Sequence, residues 1–176
     1  MTNSRYSIQI NFRRLIFAVM LFIAGGLACT ILAQEMPPRP VIVNVNDSQP
    51  LAFGAFVPGL TGGTITVGPD YSRTSTGSVV LLGMGYVYTP AMYYVRANTG
   101  TVISILGTPP VTLTGSGGGT LLMQVGATLP ASPFVITVPW SEWTTVLIGG
   151  TLIVGDITSN PPGNYTGTFS ITFIQE

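Results

Sequence analysis

Residues 168–173 read Thr-Phe-Ser-Ile-Thr-Phe, and this stretch decides the fold class. Apolar and polar side chains alternate through it, so Phe169, Ile171 and Phe173 share one face of an extended chain. An amphipathic helix would instead place apolar residues at intervals of three and four. The pattern therefore predicts a β-strand with one buried face, which we extend to residues 165–174.

The same alternation occurs near the start of the domain, where Val41, Val43 and Val45 alternate with Ile42 and Asn44. Between these two ends, short β-prone segments recur between turns rich in glycine and proline, including Gly149-Gly150. We predict strands at residues 41–46, 51–56, 64–67, 78–82, 92–96, 102–106, 111–114, 120–125, 134–138, 144–148, 151–154 and 165–174. Many short strands at this spacing predict an all-β protein, an immunoglobulin-like antiparallel β-sandwich.

The N-terminus has the features of a secretory leader. Arg13 and Arg14 precede the apolar residues 15–24, and the small residue Ala33 follows. We therefore predict a helical signal peptide at residues 1–33, a proline-rich linker at 34–40 and the β-sandwich domain at 41–176. The mature protein is expected in the periplasm, at the cell surface or outside the cell.

Three alternatives to this leader remain. The apolar run approaches the length of a membrane span, Cys29 offers a lipoprotein acylation site, and the arginine pair resembles a twin-arginine signal. Cleavage after Ala33 is preferred, and it leaves no permanent membrane span. Because Cys29 is the only cysteine, the mature chain would contain no disulfide.

Composition argues against several kinds of chemistry. The chain has no histidine and no lysine. After Ala33 it contains three arginines and six acidic residues, which gives a net charge of −3. No basic patch remains for nucleic acid, and the triads and metal sites that need histidine, lysine or thiolate are excluded. We expect no catalytic residues, no metal and no cofactor. A hydrolase that uses Glu142 with Asp156 is the one enzymatic alternative.

Aromatic residues form the second set of candidates. Tyr86 and Tyr88 lie in one segment, and Trp140 and Trp143 flank a short turn in another. Aromatic rings in loops can stack on sugars or anchor a protein partner. The competing interpretation is that they pack within the domain or on strand surfaces.

Several sequence blocks occur in an order that resembles a known family. The blocks are residues 51–54, 62–67, Arg73, 77–82, 111–114, 149–155 and 163–169. Together they resemble the domain of unknown function 4402 family of secreted bacterial proteins. The resemblance implies an immunoglobulin-like sandwich related to pilins and spore-coat-U-like proteins, without enzymatic activity. The turn between Trp140 and Trp143 is outside the resemblance.

The C-terminus extends the comparison with pilins, which end in an alternating strand. Gly163 is fourteenth from the end, as pilins require, but Gln175 stands where they have an aromatic residue.

We therefore expect a non-catalytic surface subunit that assembles by β-strand addition with like subunits or a secretion or assembly chaperone. The candidate residues are Val41, Val43, Val45, Phe169, Ile171 and Phe173. Alternatively, residues 41–45 are the first strand of a complete domain, or the protein is a soluble module that binds a glycan or protein through its loop aromatics.

Overall fold

The computed structural model describes residues 39–176, and within that range the chain forms β-strands and no helix. The predicted signal peptide at residues 1–33 and most of the predicted linker at 34–40 lie outside the described residues. The strands are β1 Ile42–Val45, β2 Ala52–Phe53, β3 Phe56–Val57, β4 Gly63–Val67, β5 Arg73–Gly77, β6 Val80–Leu81, β7 Tyr88–Thr89, β8 Ala91–Arg96, β9 Val102–Leu106, β10 Val111–Gly115, β11 Thr120–Leu129, β12 Phe134–Val135, β13 Thr144–Val154, β14 Tyr165–Thr166 and β15 Thr172–Gln175. All their pairings are antiparallel, and the all-β prediction is confirmed for this part of the chain.

The largest sheet is organised around β13. Its strand order is β1-β8-β13-β11-β10-β14, with β4 and β5 attached at the side of β13. The first half of β13 pairs with β8 and the second half with β4, while β11 follows its other edge along both halves. One strand thus holds three neighbours in register.

Two hydrophobic clusters lie on this sheet. In the first, Ile103 of β9 and Phe134 of β12 are buried with side chains of β8 and β13, so the small sheet β12-β9-β15 packs against one half of the main sheet. In the second, Ile65, Leu152 and their neighbours are covered by segments that include the short pairs β2-β7 and β3-β6. Burial of these two clusters supplies the main stabilising term for a domain without disulfides.

The prediction of a turn at Gly149-Gly150 was wrong, because β13 runs through both residues. A side chain at Gly149 would meet backbone, and one at Gly150 would require a neighbouring side chain to move. A Cβ on Gly149 would lie 2.4 Å from the carbonyl oxygen of Val67, and one on Gly150 would lie 2.7 Å from Cδ2 of Leu51. The two glycines therefore serve close packing where β13 passes from β8 to β4, and not a reversal of the chain.

Other strand predictions need smaller corrections. The expected strand at 51–56 is divided into β2 and β3, because Gly54 between them has φ of +69°. The polar strand β5 and the short β7 were missed. β5 lacks an apolar alternation because it is a largely exposed edge strand, paired only with β4.

The expected strand at 165–174 is also divided. Its first part, β14, pairs with β10 in the main sheet, whereas its last part, β15, pairs with β9 in the small sheet. Gly167 stands at the point of departure, where a Cβ would lie 2.6 Å from Cδ2 of Leu113. Residues 167–171 cross from one sheet to the other and belong to neither.

The close approach at Gly149 yields a test of the fold. We expect Gly149→Ala to lower the free energy of unfolding by roughly 1–3 kcal/mol, since the new methyl group must displace the backbone of β4. Gly107→Ala is the control, because nothing lies within 4 Å of a Cβ at that position. Urea denaturation measures both variants, and equal stability of the two would contradict the role assigned to Gly149.

Candidate functional site

An apolar groove lies between β1 and the C-terminal segment. Val43 and Val45 lie on one side of it, Phe169, Ile171 and Phe173 on the other. Its volume is about 460 Å³. Five of the six side chains predicted as strand-addition candidates thus meet in one place, although more than a hundred residues separate the two groups in the sequence.

The two sides of the groove are sheet edges. β1 pairs only with β8, and β15 pairs only with β9, so each strand has one edge without a partner in the described part of the chain. The sixth candidate, Val41, connects them, because its N–H donates to Oε1 of Gln175 at 3.2 Å. Beyond this bond the two edges are not hydrogen-bonded to each other.

Residues 167–171 form the most open part of this site. Within residues 39–176 no strand pairs with them. Phe169 and Ile171 are nevertheless half-buried against the core, while Thr168 and Ser170 are exposed. The segment therefore combines an anchored row of side chains with main-chain groups that lack a strand partner.

Tyr93 of β8 also lines this groove, although the sequence suggested it only as part of a tyrosine cluster that binds a ligand. Its ring lies 5.7 Å from that of Phe173, tilted by 54°. Burial raises the pKa of the Tyr93 hydroxyl, so the side chain stays neutral. The alternation of residues 91–96 places Tyr93 on the buried face, but only the tertiary packing brings it into the groove.

The two tryptophans are each covered by an arginine. The guanidinium of Arg39 lies 5.0 Å from the ring centroid of Trp140, and that of Arg96 lies 3.9 Å from the centroid of Trp143. These are cation–π distances. One face of each ring is thus occupied by the chain itself, which leaves less ring surface for stacking on a sugar.

The two tyrosine candidates are in different surroundings. Tyr88 lies under Arg73, whose guanidinium is 5.2 Å from the ring centroid and donates to the carbonyl oxygen of Ala55 at 2.6 Å. Desolvation lowers the pKa of Arg73, and the electrostatic interaction with Tyr88 opposes this shift. Tyr86 is exposed and lines a second apolar space, so the structure does not join the four aromatic candidates into one site.

Glu142 and Asp156 are not brought together. They flank opposite ends of β13, and an eleven-residue strand is roughly 30 Å long. Carboxylate pairs in glycosidases lie within about 10 Å of each other. Hydrogen bonds from Thr158 and Ser159 lower the pKa of Asp156 from 3.8 to about 2, as is usual for a carboxylate that closes a turn.

Asp70 is a similar turn residue, whose pKa is lowered by hydrogen bonds from the Ser72 side chain and backbone. Within residues 39–176 no three histidine, cysteine or carboxylate side chains are grouped closely enough to hold a metal ion. In the same range, no helix has the length and apolarity needed to cross a membrane.

Residues 39–176 form a small all-β domain. Its groove offers apolar side chains and free strand edges to a binding partner. The chain belongs to the family described as domain of unknown function DUF4402, whose family model matches residues 43–174. No curated protein and no solved structure shows significant similarity to the chain.

The turn at Asp156 yields a prediction of pH dependence. Because its folded-state pKa is depressed, its stabilising effect is complete above about pH 4 and is lost as the pH falls through about 2. We expect Asp156→Ala to lower the thermal unfolding midpoint at neutral pH, and the difference from wild type to shrink on acidification. Asp47→Ala is the control, since Asp47 is also exposed. The same pH profile for both variants would contradict this account.

Proposed function

We propose that the protein is a non-catalytic, exported surface subunit that assembles by adding a β-strand at the groove between β1 and residues 167–173. The observation that carries the proposal is the meeting of Val43, Val45, Phe169, Ile171 and Phe173 along this groove. The partner is a like subunit or a secretion or assembly chaperone.

Main-chain hydrogen bonding supports strand addition at this position. An added strand gains affinity from backbone pairing and specificity from alternate side chains that enter pockets. Residues 167–171 offer unpaired backbone, and the neighbouring apolar side chains line the space into which alternate side chains of the added strand would fit. The groove therefore supplies both requirements in one place.

The free edges of β1 and β15 lack the features that prevent pairing with another chain, and this also supports strand addition. Proteins usually protect a free edge with charges, proline, a bulge or a covering loop. β1 has the sequence Ile-Val-Asn-Val and β15 has Thr-Phe-Ile-Gln, and neither contains a charged residue or a proline. Exposed edges of this kind favour pairing with another chain.

Architecture and location are part of the same proposal. The packing of the sheet β12-β9-β15 on one half of the main sheet supports an immunoglobulin-like sandwich. The leader ending at Ala33 supports export, and the absence of thiol, imidazole and amine side chains after it fits a structural or adhesive role. The placement of Glu142 and Asp156 at opposite ends of β13 also supports a non-catalytic role.

A charge in the groove provides the test. Val45 lines the groove and is 60% exposed, so Val45→Asp should leave the fold intact. The new carboxylate should weaken the binding of an added strand whose apolar side chains enter the groove. We expect the wild type to form oligomers as its concentration rises and Val45→Asp to stay monomeric. Sedimentation velocity and negative-stain electron microscopy measure the difference.

Val135→Asp is the matched control. Val135 is 52% exposed on β12, at the edge of the small sheet opposite β15, and does not line the groove. It should assemble as the wild type does. A Val45→Asp variant that assembles as well as the wild type would refute strand addition at this groove, and a wild type that remains monomeric at all concentrations would refute a like subunit as the partner.

A further inference from the structure

A second apolar space lies over the other half of the main sheet. Its volume is about 860 Å³, within the range of about 300–1,000 Å³ that is usual for small-molecule sites. The floor is the face of β10, β11 and β13, and the walls are residues 50–58 and the chain between Ile157 and Phe169. We call this space the cavity.

The floor and walls of the cavity are strongly apolar. The floor side chains are Leu113, Leu121, Met123 and Leu152, all of them buried. The aromatic wall residues are Phe53, Phe56, Tyr165 and Phe169. No aspartate, glutamate or arginine lines the cavity. A charged ligand group would find no compensation there, because burial of an unpaired charge is very unfavourable.

The two polar wall side chains that are not exposed, those of Asn160 and Tyr165, are already hydrogen-bonded within the protein. Nδ2 of Asn160 donates to the carbonyl oxygen of Thr120 at 2.8 Å, and its Oδ1 accepts from the backbone N–H of Gly155. The hydroxyl of Tyr165 donates to the carbonyl oxygen of Pro161 at 2.7 Å. These groups therefore do not call for a polar ligand, and the interior selects for a hydrocarbon.

The residues at the mouth of the cavity are apolar and exposed to solvent. Met84 and Val87 are 67% and 71% exposed, and Tyr86 and Ile157 beside them are also exposed. Several large apolar side chains on one exposed rim mark a surface that binds something apolar. The hydroxyl of Tyr86 adds a polar group at the water boundary.

We propose that the cavity binds a single-chain lipid, with the aliphatic chain on the floor formed by β10, β11 and β13 and the polar head at the rim near Tyr86. The volume of the cavity suits one drug-sized ligand. Its lining is apolar inside and includes the hydroxyl of Tyr86 at the mouth, and a single-chain lipid likewise has an apolar chain and a polar head. This binding is a second activity beside strand addition.

A peptide strand fits the cavity less well than a hydrocarbon chain. Each residue of a peptide contributes an N–H and a C=O that need partners when buried. The floor presents side chains, and each of its strands lies between two neighbours, since β10 pairs with β11 and β14, β11 with β10 and β13, and β13 with β11 on one edge and with β8 and β4 on the other. A hydrocarbon chain makes no such demand. The groove and the cavity therefore suit different ligands.

Titration with cis-parinaric acid, a naturally fluorescent single-chain fatty acid, tests the proposal on protein from expression of the full chain. We expect saturable binding of one molecule per chain, counted by native mass spectrometry, and competition by a lysophospholipid. The double variant Met84→Asp/Val87→Asp should weaken binding at least about tenfold, because it places two carboxylates at the rim. Both positions are exposed, so the fold should be retained.

Two control variants separate this site from other surfaces. Leu60→Asp changes a leucine that is 86% exposed and does not line the cavity, and it should bind like the wild type. Val45→Asp, which disables the groove, should also bind normally, so lipid binding and strand addition can fail independently. Absence of saturable binding, loss of binding only in Val45→Asp, or binding only to diacyl phospholipid vesicles would overturn the proposal.

Discussion

β13 holds the main sheet together, because it lies between β11 on one edge and β8 and then β4 on the other. One edge of this strand pairs with β11 from Leu147 to Ile153, across a register shift in β11, while the other edge changes from β8 to β4 at Gly149 and Gly150. The two hydrophobic clusters lie on the two halves that this change creates. Without a disulfide in the described chain, continuous pairing along β13 joins the two halves into one body.

The C-terminal segment follows from the same division. β14 is anchored to the half that carries the cavity, and β15 to the small sheet that covers the other half. The five residues between them cross the gap with their backbone unpaired, and Phe169 contributes to both the groove and the cavity. A lipid bound in the cavity and a strand added at the groove would therefore both contact the segment of residues 167–171.

Sequence patterns predicted which side chains share a face of a strand, because that depends on local alternation. They did not predict strand partners or contacts between residues that are distant in the sequence. The alternation of Phe169, Ile171 and Phe173 correctly placed these side chains together, but it could not indicate that β14 and β15 join different sheets. Gly149-Gly150 has the composition of a turn. The groups that approach the two glycines, the carbonyl oxygen of Val67 and the side chain of Leu51, are more than eighty residues earlier in the sequence, so no local pattern could indicate them. The arginines over Trp140 and Trp143 are likewise distant in sequence, so no motif could predict them.

We propose that residues 167–171 are an open strand edge that another chain completes. Hydrogen–deuterium exchange of the isolated monomer and of the assembled protein distinguishes this from a closed domain. We expect fast exchange at residues 167–171 in the monomer and strong protection after assembly, with β13 protected in both states. Protection of residues 167–171 in the isolated monomer, or fast exchange there in the assembled protein, would contradict it.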